Sequence, residues 1–215
     1  MSAENRKEKK DQAETFSKKV ERFTKTEIEC LIKRFNALLA KQVSPSGAAH
    51  GLDKETFRGI MQTTFGINKP LMLDGASLVF RNFDEDRDGI VSVEEWIRGL
   101  SVLLRGTLDE KIKYCYEVYD LDGDKFITKE EIFNMLDGCF IKRPNEKDPK
   151  ERVRDLVETS MKMMDHDCDG KLSYKDFQKS VRKDKLLLEA FGKCLPDPMS
   201  IEKFERLVFQ EQQGQ

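Results

Sequence analysis

Three twelve-residue segments place carboxylates at the same positions. They are "DEDRDGIVSVEE" (84–95), "DLDGDKFITKEE" (120–131) and "DHDCDGKLSYKD" (165–176). Each has Asp at positions 1, 3 and 5, an aliphatic residue at 8, a hydroxyl at 9 and an acid at 12. Calcium takes roughly six to eight oxygen ligands, which such a set of carboxylates supplies when the chain turns back on itself. The spacing therefore predicts three calcium-binding loops.

Each position has a defined role in such a loop. Positions 1, 3 and 5 offer side-chain oxygens, position 7 offers its carbonyl, and the acid at 12 closes the shell with two oxygens. The predicted ligands are Asp84, Asp86, Asp88, Ile90 and Glu95, then Asp120, Asp122, Asp124, Phe126 and Glu131, then Asp165, Asp167, Asp169, Lys171 and Asp176. The hydroxyl at 9 also begins a helix, with the acid at 12 completing a capping box.

Apolar residues at spacings of three and four flank every loop, as in Val79, Phe80 and Phe83 before loop 84–95 and Trp96 and Leu100 after it. This period predicts amphipathic helices on both sides. The repeating unit is therefore a helix, a loop and a second helix.

A fourth unit precedes these three. The segment "PSGAAHGLDKET" (45–56) fits the repeat when Leu52 takes position 8. Pro45, Gly47, Ala49 and Thr56 then occupy ligand positions, so this loop is predicted to bind no metal.

Two of the three liganding loops depart from the ideal pattern. Lys125 stands at position 6, where a positive φ is needed and where loops 84–95 and 165–176 have Gly. The cost of about 1–2 kcal/mol predicts a calcium site that is weakened but not abolished. Asp176 is one methylene shorter than Glu, so it either pulls its helix inward or binds through one oxygen. Fewer oxygens favour magnesium, which we therefore expect to compete at this loop.

Composition excludes several other functions. The chain has 38 basic and 40 acidic residues and a net charge of −2, which argues against nucleic acid or an anionic membrane as partner. Five cysteines without a C-x-x-C pair, no long apolar run and Ser2 in place of Gly predict a reducing cytoplasm and no membrane anchor. No catalytic motif is present in the sequence, so we expect a non-enzyme that is monomeric when free.

The repeated unit resembles the EF-hand family. That resemblance implies an all-α fold with two lobes of paired EF-hands, short paired loop strands and a C-terminal helical tail. It also implies that the non-liganding loop 45–56 serves to pair with loop 84–95. The expected parts are an N-terminal helical extension (1–25), an N-lobe (26–106), a C-lobe (107–184) and the tail (185–215).

A non-liganding first hand, three liganding hands and a tail resemble the neuronal calcium sensor and calcineurin B group. Within it, "GLDKETFRGIMQTTFGI", "EEWIRGLSVLLRGTLDEKIKYCYEVYDLDGD" and "LLLEAFGKCLPDP" are similar to the calcium sensors of motile cilia and flagella. This resemblance implies an axonemal location, outer-arm dynein as partner and tubulin as a further one. A calcium buffer and a calcineurin-B-like regulatory subunit remain the alternatives.

Apolar residues near both ends of the chain are expected to be buried. Phe16, Val20 and Phe23 share a helical face that is expected to pack on the N-lobe. A hypothesis for the tail is that Leu186, Leu187, Leu188 and Phe191 occupy the C-lobe groove, where a target helix must displace them. The alternative is that they merely cap the lobe.

Overall fold

Helices dominate the structure, a computed structural model that describes residues 16, 20–42, 50–67, 78–137 and 148–210. The α-helices are α1 (Lys25–Leu39), α2 (Lys54–Phe65), α3 (Leu78–Phe83), α4 (Val93–Arg105), α5 (Leu108–Tyr119), α6 (Lys129–Leu136), α7 (Pro149–Met164), α8 (Tyr174–Lys183) and α9 (Pro198–Glu205). Two short strands, β1 (Phe126–Ile127) and β2 (Leu172–Ser173), form an antiparallel sheet. The predicted all-α fold with paired loop strands is confirmed.

The helices that follow the three loops begin at the predicted capping boxes. Ser92, Thr128 and Ser173 each accept a hydrogen bond from the backbone N–H of the acid at position 12. That acid in turn accepts from the backbone N–H of the capping residue. Position 12 is thereby fixed at the first turn of its helix.

The loops pair two by two through position 8. Leu52 and Val91 exchange two backbone hydrogen bonds of 2.9 Å, which joins the non-liganding loop to loop 84–95. In the other pair, Ile127 lies opposite Leu172. The predicted structural role of the non-liganding hand is confirmed, although Pro45, Gly47 and Ala49 lie outside the described residues.

The chain divides into two compact units. One consists of Met1–Gly66, Phe83–Gly106 and Pro196–Gln215, and the other of Ile67–Asn82 and Thr107–Leu195. Phe57 and Trp96 are fully buried in the first, and Tyr119 and Phe177 in the second. Residues of the predicted tail up to Leu195 belong to the second unit, and those from Pro196 belong to the first.

Residues 185–195, called the cover segment below, pack within the second unit. They begin with a 3₁₀ helix, Lys185–Glu189, that contacts α5 and α8. Phe191 is fully buried, and its ring lies 5.3 Å from that of Tyr119. Leu186 is 85% exposed, so its predicted burial is wrong: this side chain points away from the face that Phe191 fills.

The last described residues pack within the first unit instead. The Phe204 ring of α9 lies 5.1 Å from Phe65, and the Phe209 ring lies 6.1 Å from Phe23. Arg105 holds this end with ion pairs to Glu27 (2.6 Å) and Glu205 (2.8 Å). The aromatic residues that accept α9 and Phe209 therefore belong to the first unit.

The N-terminal extension is described only in part. Phe16, Val20 and Phe23 are buried, as their shared face predicted. Residues 1–15 lie outside the described part of the chain. Among the described residues, no helix has both the length and the apolar character needed to cross a bilayer.

Candidate metal centres

Carboxylates of loops 84–95 and 120–131 converge in the same way. Asp84, Asp86 and Glu95 each offer an oxygen within 4.8 Å of the others. Asp120, Asp122 and Glu131 form the equivalent group. Hard oxygen ligands at this separation fit calcium, whose oxygens lie about 2.3–2.6 Å from the ion.

The aspartates at position 1 hold the loop backbone through their own oxygens. Asp84 accepts hydrogen bonds from the N–H groups of Asp88 (3.1 Å) and Gly89 (3.1 Å). Asp120 accepts them from Gly123 (2.8 Å) and Lys125 (3.0 Å). Burial raises the pKa of both carboxyls, and these hydrogen bonds only partly oppose it. A bound cation lowers the pKa of these carboxyls again, since a nearby positive charge favours their ionised form.

The glutamates at position 12 are also buried, and both of their oxygens are engaged. Oε1 of Glu131 accepts from the Leu121 N–H (2.8 Å), and Oε2 accepts from the Thr128 N–H (2.7 Å). Glu95 repeats this arrangement with Glu85 and Ser92, each at 2.8 Å. Each glutamate therefore joins the start of its loop to the start of the exiting helix, with both oxygens held at the site.

Loop 165–176 differs at position 12. Its cluster consists of Asp165, Asp167 and Asp169, and Asp176 is not part of it. Like the glutamates of the other loops, Asp176 accepts from its capping hydroxyl, with Oδ2 2.5 Å from Ser173 Oγ, and Oδ1 lies 3.4 Å from the His166 backbone nitrogen. Burial acts to raise the pKa of Asp176, but these hydrogen bonds outweigh it and the pKa is lowered. The shorter side chain thus completes the helix cap, but its oxygens lie outside the carboxylate cluster.

Lengthening this side chain is expected to improve the site. Asp176→Glu should tighten calcium binding at loop 165–176 about tenfold and reduce the ability of magnesium to compete, because a second oxygen reaches the ion. Glu131→Asp is the reciprocal control and should shift loop 120–131 toward magnesium. Calcium titrations with and without millimolar magnesium measure both effects. Unchanged competition in both variants would show that position 12 does not set selectivity here.

The predicted positive φ of Lys125 is present, at 73°, and its side chain is exposed. The sequence interpretation missed that position 4 is left-handed as well. Arg87 and Cys168 have a φ of 60° there, whereas loop 120–131 has Gly123. Each loop therefore has one glycine and one other residue at its two left-handed positions. Gly123 therefore avoids backbone strain at position 4 of loop 120–131, where the other two loops have Arg87 and Cys168.

Lys125→Gly is expected to tighten calcium binding at loop 120–131 by about fivefold, because it removes about 1 kcal/mol of left-handed strain. Gly123→Ala should weaken the same site by a similar factor. A Cβ there meets no atom within 4 Å, so the effect is one of backbone conformation alone. Calorimetry in a Glu95→Gln, Asp165→Asn background isolates this loop. Equal affinities for Lys125→Gly and its parent would mean that the loop accepts Lys125 without strain.

The predicted carbonyl ligands stand at position 7, where each loop meets its paired strand or bridge. Ile90 precedes the bridging residue Val91, Phe126 begins β1, and Lys171 precedes β2. Asp88 and Asp124 each accept a hydrogen bond from the N–H at position 7, at 2.9 and 2.8 Å. The assignment of individual ligands to the ion stays a prediction.

Two residues that touch the loops were missed from sequence. The Tyr116 hydroxyl lies 2.7 Å from the Lys125 carbonyl oxygen and 3.0 Å from that of Leu172, so it connects the two paired loops. The Arg81 guanidinium donates to the carbonyls of Asp120 and Leu121. The only signal for Tyr116 is its place four residues before loop 120–131.

Family models match these same loops. An EF-hand domain pair matches residues 109–182, and an EF hand matches residues 77–101. Calaxin from Homo sapiens is 51% identical over 96% of this chain and 96% of its own length. Calaxin from Bos taurus is 50% identical over the same shares, and that from Xenopus laevis is 50% identical over 96% and 98%. The chain belongs to the calaxin family of EF-hand proteins. It is therefore a calcium-binding EF-hand protein.

Proposed function

We propose that this chain is a calcium sensor that binds calcium through loops 84–95, 120–131 and 165–176 and regulates a protein target. The observation that supports it best is the convergence of three carboxylates in each of these loops. Antiparallel pairing joins loop 120–131 to loop 165–176, so calcium binding at one loop affects the conformation of the other. The function is regulatory rather than enzymatic.

The cover segment favours a sensor over a buffer. Sensor hands respond to calcium by exposing an apolar groove between their helices. Here Phe191 lies against α5 and is fully buried, so the second unit has an apolar face that its own chain covers. A buffer needs ligands but no such covered face. A target helix that docks on α5 and α8 displaces or shares this face with Phe191.

The resemblance to calcium sensors of motile cilia supports an axonemal target. We propose outer-arm dynein as the partner, with tubulin as a second one, in the cytoplasm and axoneme of cilia and flagella. Magnesium competes at loop 165–176, where Asp176 stays outside the carboxylate cluster. Calcium then acts on the target through loops 84–95 and 120–131.

A pulldown with the full-length chain tests this function. Immobilised protein is incubated with axoneme extract in calcium or in a chelator, with a Glu95→Gln, Glu131→Gln variant as the matched control. Retention of outer-arm dynein in calcium by the parent chain alone is the expected result. Equal retention under all conditions supports a constitutive calcineurin-B-like subunit. No retention, together with no calcium response of an apolar-surface dye, supports a buffer.

A further inference from the structure

Two cysteines that the calcium sites do not use lie against each other. The Sγ atoms of Cys115 and Cys194 are 3.2 Å apart, and both side chains are fully buried. Cys115 belongs to α5, and Cys194 lies near the end of the cover segment. A disulfide has an S–S length of about 2.05 Å, so an approach of little more than 1 Å joins them.

The surroundings of Cys194 hold it in this position. Glu189 Oε1 accepts hydrogen bonds from the N–H groups of Cys194 (3.1 Å) and Leu195 (3.0 Å). Tyr119 is on the same helix as Cys115, and its hydroxyl lies 2.7 Å from the Gly192 carbonyl oxygen. The two sulfurs therefore meet because the backbone on both sides is anchored, and not through a chance side-chain rotamer.

We propose that Cys115 and Cys194 form a reversible disulfide that fastens the cover segment to α5 when the chain meets a small-molecule disulfide such as glutathione disulfide. Transient disulfides of this kind are the form found in reducing compartments. The bond closes the covered face covalently. The inference goes beyond the proposed function, and its chemical test does not depend on any target.

The reaction is two thiol–disulfide exchanges. One cysteine thiolate attacks a sulfur of glutathione disulfide, which forms a mixed disulfide and releases a glutathione thiolate. The second cysteine thiolate attacks the protein sulfur of that mixed disulfide and releases a second glutathione. The two protein thiols lose two electrons and two protons, and glutathione disulfide becomes two glutathione thiols.

Burial controls when this happens. It raises the pKa of the Cys115 thiol, which keeps the reactive thiolate scarce while the segment is packed. Entry of the oxidant requires the cover segment to lift, and repacking then brings the second thiol to the mixed disulfide. The disulfide therefore forms only after the cover segment has opened. Once formed, it holds the segment closed.

Peptide mapping of the intact, full-length chain tests the proposal. The folded protein is incubated with excess glutathione disulfide, quenched in acid, alkylated and digested with trypsin. Cys115 falls in peptide 114–125 and Cys194 in peptide 194–203, each with one cysteine. The expected result is a linked pair with a mass about 2 Da below the sum of the two peptides, which a reductant separates. Two alkylatable thiols are lost with it.

Controls separate this bond from general oxidation. Cys194→Ala should lose the linked pair, whereas Cys168→Ala, at an exposed position, should retain it. The mapping of the unaltered chain stands even if Cys194→Ala folds poorly. Glutathione attached singly to cysteines, or links through Cys30, Cys139 or Cys168 in place of the 114–125 to 194–203 pair, would overturn the proposal.

Discussion

Replacing Glu131 by Gln is expected to weaken calcium binding at loop 120–131 by about a hundredfold, which corresponds to about 2.8 kcal/mol. The change removes a negative charge and replaces one of the two carboxylate oxygens, both predicted to face the ion, by an amide nitrogen that can only donate. It also breaks part of the loop itself, since Glu131 accepts from the Leu121 and Thr128 N–H groups. Calorimetric titration of the variant and its parent measures the loss.

The neighbouring residue supplies a matched control. Glu130 is exposed and stands outside the carboxylate cluster, so Glu130→Gln removes the same charge with little effect on affinity. Similar losses in both variants would mean that net charge, and not the shell at position 12, governs binding. The account of this site would then be wrong.

Replacing Phe191 by Ala is expected to release the cover segment. Truncating a fully buried Phe costs about 3–5 kcal/mol, and the packing lost here includes the contact between Phe191 and Tyr119 of α5. Fluorescence of an apolar-surface dye should rise severalfold without calcium, and the remaining response to calcium should shrink. Target binding in the pulldown should strengthen, since the target no longer competes with Phe191.

Leu186 is the control for this variant, because it lies in the same segment but is 85% exposed. Leu186→Ala should leave both dye signal and melting temperature unchanged. Removal of the entire tail is a poorer experiment, since Phe204 and Phe209 also complete the first unit. If Phe191→Ala abolishes target binding, the cover segment is part of the docking surface and the autoinhibition hypothesis fails.

The loops were predictable from sequence because their ligands are local. Twelve consecutive residues specify a carboxylate set, a helix cap and a strand position, so aligned repeats reveal all three. Even the exception at Lys125 was visible, as was the chance that Asp176 contributes fewer oxygens. That Gly123 offsets the strain at Lys125 could also be predicted, but only once position 4 is known to be left-handed.

Long-range packing was not predictable in the same way. An apolar face on α9 shows that cover is needed, but not that Phe65 supplies it. The Cys115–Cys194 contact joins residues 79 apart, and the cysteine count alone favours no pairing. Burial of Phe191 and exposure of Leu186 likewise depend on how the 3₁₀ helix and the residues after it turn, which hydrophobicity does not encode.

Counting the bound ions is the most direct test of the central claim. Native mass spectrometry of the full-length chain at increasing calcium should show three ions per chain at saturation. Glu131→Gln should reduce that number by one at moderate calcium, and Glu95→Gln with Glu131→Gln by two. The non-liganding loop 45–56 predicts that a fourth ion never appears as a specific species. A chain that saturates with fewer than three ions, or that keeps three in the double variant, would contradict the assignment of these loops.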